Sequence, residues 1–547
     1  MGRFESLKTL GELLDPRVGK RLYDAGAINL RTPLTIARSL PWLVGRGPTL
    51  GLASKMHADA LADKPAIHDR RGTLTWKELD ERANQAAHAF ESLGLGAGSN
   101  VALMLRNGRE FAEAILGTQK IGAFSSPLNT WAKPKELKTT ITNSGAAVLI
   151  YDTAHTEQVR ASVPEGLPLY FVGDPSAAIE GSESYEELLR HQPTTSPPPF
   201  TRARGEPKVI IHTSGTTGTP KGATRGTSAS GLGALSSLLG VIPYHRDDIV
   251  LIPAPMFHSF GLGAFVFATV LGSTMVLPEK FDPQETLSLI ERHRATTVSL
   301  VPVMIRRIVD LDPQVRNKYD LSSVRIVIAS GSVLSEDLRR AATDVFGPVL
   351  YDLYGSTEAG WIAIATPHDL RIKPRSVGKP TPGISVAIFS SDGRRVPEGV
   401  TGEIHVKSDV IFEGYTSGDT KGQREGYMSI GDLGRFDSEG YLYVESRADD
   451  MVVVGGENVY PIEIEQVIED MEGVHEVAVV GAHDEAYGQI LAAFVTGTVT
   501  EQEVIDVCKR ELASYKVPRK VIVLDELPRT STGKVLKREL IQQLSGS

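Results

Sequence analysis

Residues 208–222 read KVIIHTSGTTGTPKG. Val209, Ile210 and Ile211 predict a strand, and residues 213–221 then carry five hydroxyls, two glycines and one lysine. That composition suits a polyphosphate. Glycines let the backbone curl so that its N–H groups converge, hydroxyls add donors, and Lys221 adds positive charge without bulk. The spacing is not that of a Walker A loop, because Pro220 stands where a glycine would precede Lys221. Taken alone, the stretch also reads as a polar surface loop.

Outward from this segment, strand-like and helix-like stretches alternate from about residue 65 onward, which predicts an α/β architecture with much parallel sheet. LTWKELDERANQAAHAFESLG leads to NVALML, and REFAEAILGTQKIG leads to FSSPLN. AAVLIYD, LPLYFVGD, TVSLVPVMI and VRIVIASG read as buried strands. The glycines of GLGAG at residues 94–98 follow a helix and precede a strand, the reverse of the order that aims a phosphate at a helix N-terminus, so no dinucleotide loop is read there. PTTSPPP at residues 193–199 is a stiff connection. The texture changes near Arg447, after which VHEVAVVGAHD, ILAAFVTG, a helix over 501–514 and KVIVLDELP predict a separate α+β unit. The division expected is a leader (1–50), a large domain (51–446) and a C-terminal domain (447–547).

At 547 residues the chain exceeds a single core, and 41% apolar with 23% charged residues excludes disordered and coiled-coil classes. A net charge of −9 argues against nucleic acid as a partner. The only cysteine, Cys508, rules out an intramolecular disulfide and any cysteine-rich zinc site. With Glu5 and Glu12 where a signal peptide needs apolar residues, a cytoplasmic protein is expected. Residues 249–278 lack charge, yet Pro253, Pro255 and His258 make them a buried enzyme core rather than a membrane span. The first fifty residues hold eight basic and four acidic side chains. They read as an arm packed on the main domain or as a segment grazing an anionic membrane.

Further segments extend the pattern in order: PMFHSFG (255–261), YGSTE (354–358), SIGDLGRFDSEGYLY (429–443), SRADDMVVVGGENVYPIEIE (446–465) and PRTSTGK (528–534). With TSGTTGTPKG, they make the chain resemble the adenylate-forming superfamily of acyl-CoA synthetases, peptide-synthetase adenylation domains and luciferases over roughly residues 60 to 540. The resemblance implies a large N-terminal domain, a mobile C-terminal domain and an active site between them. Joining a carboxylate to the α-phosphate of ATP sets two anions against each other, so cations and a metal are needed.

By that resemblance, Thr213, Ser214, Gly215, Thr216, Thr217, Gly218 and Lys221 hold the β- and γ-phosphates, and Thr357 touches the α-phosphate. Glu358, with Thr213, holds Mg2+, a hard cation suited to oxygen ligands. Gly331, Ser332, Asp352 and Tyr354 frame the adenine, and Gly355 and Ser356 complete the ATP site. Asp432 takes the ribose hydroxyls with Arg447 beside it. Lys534, on a flexible approach, enters for one half-reaction and leaves for the next. Asp449 is the hinge. His258 lies beside the acyl carboxylate and the thiol path, as a positioning group, since a carboxylate needs no base at neutral pH. Gly455 and Gly456 resemble the CoA ligases more than stand-alone acyl-AMP ligases. Ile430 departs from the family, which more often has a small or hydroxylated residue there; local packing alone is put in question.

GLGAFVFATVLG after His258 offers no charge to recognise an amino acid. Gly261 and Gly263 are read as leaving room for an acyl chain. The expectation is an ATP-dependent acid–CoA ligase acting on a medium- or long-chain fatty acid. The alternatives are an aryl or other hydrophobic acid, a ligase loading a separate carrier protein, and a non-catalytic sensor of nucleotide or acyl-adenylate. With 13 residues after Lys534, no carrier domain is expected on this chain.

Overall fold

The computed structural model describes residues 16–26, 33, 35, 49–198, 207–214, 220–226, 230–356, 359–408, 414–415, 422–447, 452–454, 457–484, 488–530 and 533–545. Of residues 213–214, 220–226, 230–234, 414–415, 453, 457–458, 488 and 545 it describes the backbone alone. Two compact units emerge: Met1–His368 with Thr381–Ile384 and Ser408–Thr420, and Asp369–Pro380 with Ser385–Lys407 and Lys421–Ser547. The boundary read from the sequence at 446/447 falls inside the second unit.

In the first unit one sheet runs in the order Gly360–Ala365, Leu350–Ser356, Ile326–Ala329, Thr297–Leu300, Ile249–Leu251, Thr274–Val276, Pro65–Asp69, Gly72–Thr75. Its six inner strands are parallel and its two outer ones antiparallel. A second sheet has the order Gly414–Tyr415, Pro220–Gly226, Lys208–Ser214, Phe124–Pro127, Asn100–Met104, Ala146–Asp152, Leu169–Val172, Glu183–Ser184. The α/β class with much parallel sheet is therefore as expected.

The helix Trp76–Ser92 begins at a capping box, in which Thr75 accepts from Glu78 N and Glu78 accepts from Thr75 N. Its apolar stripe, Leu79, Ala83, Ala86 and Phe90, joins Phe111 and Ile115 of helix Arg109–Ile121 in one cluster with Val101, Leu103 and Ile150 of one sheet and Ile67, Val250 and Met275 of the other. Burying that stripe ties the two sheets into one body.

Residues 249–278 form strand Ile249–Leu251, helix Ser259–Leu271 and strand Thr274–Val276. Among the described residues no helix is long and apolar enough to cross a membrane. The leader is packed where it is described. Helix Pro16–Asp24 places Leu22 and Ala25 in a cluster with Leu235, Leu238, Ile242, Phe267 and Leu271. Arg21 donates to Ser236 O at 3.1 Å. The apolar side of this helix is thus committed to the protein, and Arg17, Lys20 and Tyr23 are exposed.

The second unit contains an antiparallel sheet of Ser385–Phe389, Gly402–Lys407, Tyr427–Phe436, Gln423–Arg424 and Leu442–Arg447. A three-stranded sheet follows, Val474–Asp484, Gly488–Gly497 and Lys520–Val523. Its strands alternate between two buried faces. Val477, Val479, Leu491 and Ala493 pack with Ile464, Ile468 and Cys508, whereas Ala478, Val480, Ala492 and Phe494 pack with Leu527 and Leu540. Both faces are covered, so the strands read as continuous apolar runs. Burial pushes the Cys508 thiol up to about 11, which keeps it an inert core group.

Candidate active site

Four parallel neighbours, Leu350–Ser356, Ile326–Ala329, Thr297–Leu300 and Ile249–Leu251, end on the same edge of the first sheet. Segments leaving that edge carry Tyr354, Gly355 and Ser356, then Gly331 and Ser332, then His258. Ligands of open α/β sheets gather at such carboxyl ends. Gly331 adopts φ +99°, a left-handed backbone that favours glycine. Ser330 Oγ donates to Leu353 O at 2.8 Å, tying two of these strand ends together. At Gly355 a Cβ would stand 2.0 Å from Gly360 O, so only glycine permits the hairpin to close there. Ser356 Oγ then accepts from Ala359 N at 3.0 Å. Thr357 and Glu358 lie between these two residues, outside the described ones.

Asp352, expected beside the adenine, has a structural partner. Its side chain is buried and ion-paired with Arg339 of helix Glu336–Phe346, Nη2 to Oδ2 2.7 Å. Burial pushes its carboxyl upward and Arg339 opposes this. The carboxylate thus pins helix to strand.

The stretch expected to bind phosphates is not all loop. Thr213 and Ser214 still belong to strand Lys208–Ser214, and Pro220 and Lys221 begin strand Pro220–Gly226. The antiparallel register sets Lys221 opposite Thr213 and Ser214 opposite Pro220. Residues 215–219, with Gly215, Thr216, Thr217 and Gly218, connect the two strands and lie outside the described residues. Just before them, His212 is mostly buried, and desolvation pulls its imidazole down to about 4.

His258 is the N-cap residue of helix Ser259–Leu271, with φ −93° and ψ 152°. Its ring lies against Phe257 at 4.3 Å between centroids. The expectation that both following glycines leave room is corrected at one of them. A Cβ at Gly261 would come 2.3 Å from Pro255 O and 2.7 Å from Ala254 O, so this glycine serves close packing. Gly263 has nothing within 4 Å of a built Cβ. The apolar run itself mostly fills cores: Leu262, Phe265 and Ala268 enter one cluster, and Phe267 and Leu271 another. Phe260 and Trp361 are only partly buried beside the second cluster.

In the second unit, Asp432 and Arg447 face each other across an antiparallel pair. Ile430 is 1% exposed, so this departure from the family pattern is absorbed as a core side chain. Gly455 and Gly456, outside the described residues, span the two positions between strands Val452–Val454 and Glu457–Val459, whose register pairs Val454 with Glu457. Asp449 also lies outside the described residues. Lys534 is exposed, but its approach is pinned rather than flexible on either side of residues 531–532. Thr530 N donates to Lys534 O at 2.7 Å, Lys534 N to Thr530 Oγ1 at 3.1 Å, and Arg529 bonds Glu476 Oε1 at 2.6 Å.

Sequence reasoning missed Arg339 and Asn107. Nothing in the chain marks Arg339 as the partner of Asp352. Asn107, a buried amide two residues past the strand run NVALML, is a polar residue just beyond a strand end. Among the described residues no group of three or more His, Cys, Asp or Glu gathers in a way that could hold a metal.

The AMP-binding enzyme family matches residues 55–416, and the AMP-binding enzyme C-terminal domain matches residues 463–534. A long-chain-fatty-acid–CoA ligase of Mycobacterium tuberculosis is 34% identical over 484 residues, which are 87% of this chain and 94% of that one. A fatty acid–[acyl-carrier-protein] ligase of Streptomyces coeruleorubidus is 31% identical over 512 residues, 91% and 97% of the two chains. The crystal structure of an anthranilate CoA ligase in complex with anthranoyl-AMP is similar with a TM-score of 0.81 and 26% identity, over 91% of this chain and 98% of that one. The chain belongs to the AMP-binding, adenylate-forming enzyme family. It is an adenylate-forming ligase that takes ATP and a carboxylic acid.

Proposed function

We infer that the protein is an ATP-dependent acid–CoA ligase that activates a medium- or long-chain fatty acid as acyl-AMP, releasing pyrophosphate, and then passes the acyl group to CoA. The observation that carries this reading is the charge-free helix Ser259–Leu271. It starts at His258 on the same sheet edge as Gly331, Ser332 and Tyr354 and opens at Gly263. The part of this helix left outside the cores, Phe260 and the open position at Gly263, offers a hydrophobic acid an apolar surface and no counter-charge to an amine.

In this reading the hairpin connection after Ser214, with Lys221, takes the β- and γ-phosphates, and Thr357 the α-phosphate. Gly331, Ser332, Tyr354, Gly355 and Ser356 surround the base, where glycines let the backbone come close. Mg2+ supplies positive charge to the phosphates and suits the oxygens of Glu358 and Thr213. Asp432 accepts from the ribose hydroxyls. Its side chain keeps 14% exposure, so its oxygens can be reached. His258 orients the acid, and Lys534 completes the charge neutralisation during adenylation only. For the thioester step the residues 447–547 turn about Asp449, withdrawing Lys534 and bringing Gly455 and Gly456 to the thiol path.

The relative that loads an acyl carrier protein supports a second acceptor reading, with a carrier in place of CoA. A panel of saturated fatty acids and aryl acids, each assayed for kcat/KM with CoA and with a carrier protein, tests both readings. Highest kcat/KM for a fatty acid with CoA is expected. Preference for an aryl acid, or thioester on the carrier alone, refutes the assignment.

A further inference from the structure

Asn107 is 7% exposed and lies three residues past strand Asn100–Met104, in the sheet that also carries Lys208–Ser214. Its side chain reaches across to the other sheet. Nδ2 donates to Ile252 O at 3.1 Å and to Ala254 O at 3.0 Å, and Oδ1 accepts from Met256 N at 2.8 Å. One amide thus satisfies three backbone groups of the segment that leaves strand Ile249–Leu251 and ends at His258. One of these carbonyls, Ala254 O, and the next one, Pro255 O, are also confined by Gly261, which leaves no space for a Cβ beside them. His258 N closes the turn by donating to Pro255 O at 3.1 Å.

Arg106 makes a parallel link between the sheets. It holds Asp152 through Nε and Nη2 at 2.8 and 3.0 Å and Glu279 through Nη1 at 2.6 Å. Asp152 ends a strand of one sheet, and Glu279 follows Thr274–Val276 of the other. That link fixes the sheets to each other, whereas Asn107 fixes one segment, the one that bears His258.

We propose that Asn107 is a positioning residue for acid activation, holding segment 252–258 so that His258, on one sheet, keeps its place relative to strand Lys208–Ser214 of the other. The proposal rests on the reading of His258 as the neighbour of the acid. A shift of the segment by an ångström displaces the acid from the α-phosphate, and misplacement on that scale costs about 100-fold in rate. None of the residues assigned to ATP lies in this segment, so ATP binding is expected to depend on it less.

Asn107→Asp keeps the size and the Oδ1 acceptor, but turns an oxygen toward two carbonyls. Gly261→Ala pushes on Ala254 O and Pro255 O of the same segment and decides the matter if Asn107→Asp does not fold. Each is expected to lower kcat/KM for the acid by about 10- to 100-fold while KM for ATP stays within about twofold. In a His258→Ala background, Asn107→Asp should add less than about threefold, because the two act through one element. Equal losses toward acid and ATP, a fully additive loss in that background, or unchanged acid kinetics in both folded variants would each overturn the proposal. If His258→Ala leaves acid kinetics intact while the other two variants keep the acid-specific loss, the role given to His258 fails, and the positioning of the segment by Asn107 is upheld.

Discussion

Asp432 and Arg447 stand directly opposite each other on strands Tyr427–Phe436 and Leu442–Arg447, with Nη1 3.4 Å from Oδ1. The arginine side chain is 46% exposed, so the pair sits at the edge of solvent and contributes little to stability. Its geometry instead presents an acceptor with a cation beside it, which suits a ribose next to a phosphate.

Asp432→Asn should therefore raise KM for ATP by about 10- to 100-fold, the equivalent of hydrogen bonds to a charged group. The melting temperature should stay near that of the unaltered protein. Steady-state kinetics beside a thermal melt checks this; a large fall in melting temperature with unchanged KM would make the pair structural.

Lys534 is carried by a turn fixed to its own sheet through Arg529 and Glu476, 2.6 Å apart. The contact ties the approach to Lys534 to strand Val474–Asp484. Lys534→Ala should reduce acyl-AMP formation by about 100-fold or more, and leave conversion of supplied acyl-AMP to acyl-CoA within about threefold. Single-turnover assays of the two half-reactions separate them. Equal loss in both would show that Lys534 serves twice or supports the fold.

Leu22 is 3% exposed within the cluster of Leu235, Leu238 and Ile242. Leu22→Ala should destabilise the first unit by about 2–4 kcal/mol through a cavity, seen as a lower urea midpoint. Deleting residues 1–26 should lower it further by uncovering that apolar face. An unchanged midpoint in both would show that the helix is dispensable.

His57 is fully buried, tilted against Trp76 at 4.9 Å, with Nε2 3.2 Å from Val270 O. Desolvation pulls its imidazole down to about 4, against smaller upward contributions from backbone hydrogen bonds to Val270 and Thr269. The unfolded chain, with an ordinary histidine near 6.5, binds more protons between about 4 and 6.5, so stability rises with pH across that window and is lost as pH falls through it. The contribution is on the order of 3 kcal/mol. His57→Gln should flatten the difference in urea midpoint between pH 6.5 and 4.5, and a slope equal to the unaltered protein's would refute it.

Local chemistry made part of this molecule legible. The helix after Thr75, the strand that starts at Lys208 and the apolar strand through Val477 to Val480 are written in neighbouring residues, and the structure has them. Contacts between distant segments are not written that way. Arg339 claims the Asp352 carboxylate across a helix and a strand, and Gly261 is glycine because of the Ala254 and Pro255 carbonyls. Ser531 and Thr532 suggest a loose approach to Lys534, but Arg529 and Glu476 meet only once the sheet has formed. The apolar run after His258 reads equally well as pocket wall or core, since hydrophobicity records burial without recording what is buried against it.

The most direct test counts products in one reaction. The protein is mixed with ATP, Mg2+ and a saturated fatty acid in the C12–C16 range, with and without CoA, quenched at intervals, and assayed for acyl-AMP, AMP, pyrophosphate and acyl-CoA. Without CoA, one equivalent each of pyrophosphate and enzyme-held acyl-AMP is expected; with CoA, AMP, pyrophosphate and acyl-CoA should accumulate catalytically in equal amounts. Formation of ADP and phosphate, or turnover of ATP to AMP with no thioester when CoA is present, would contradict the account.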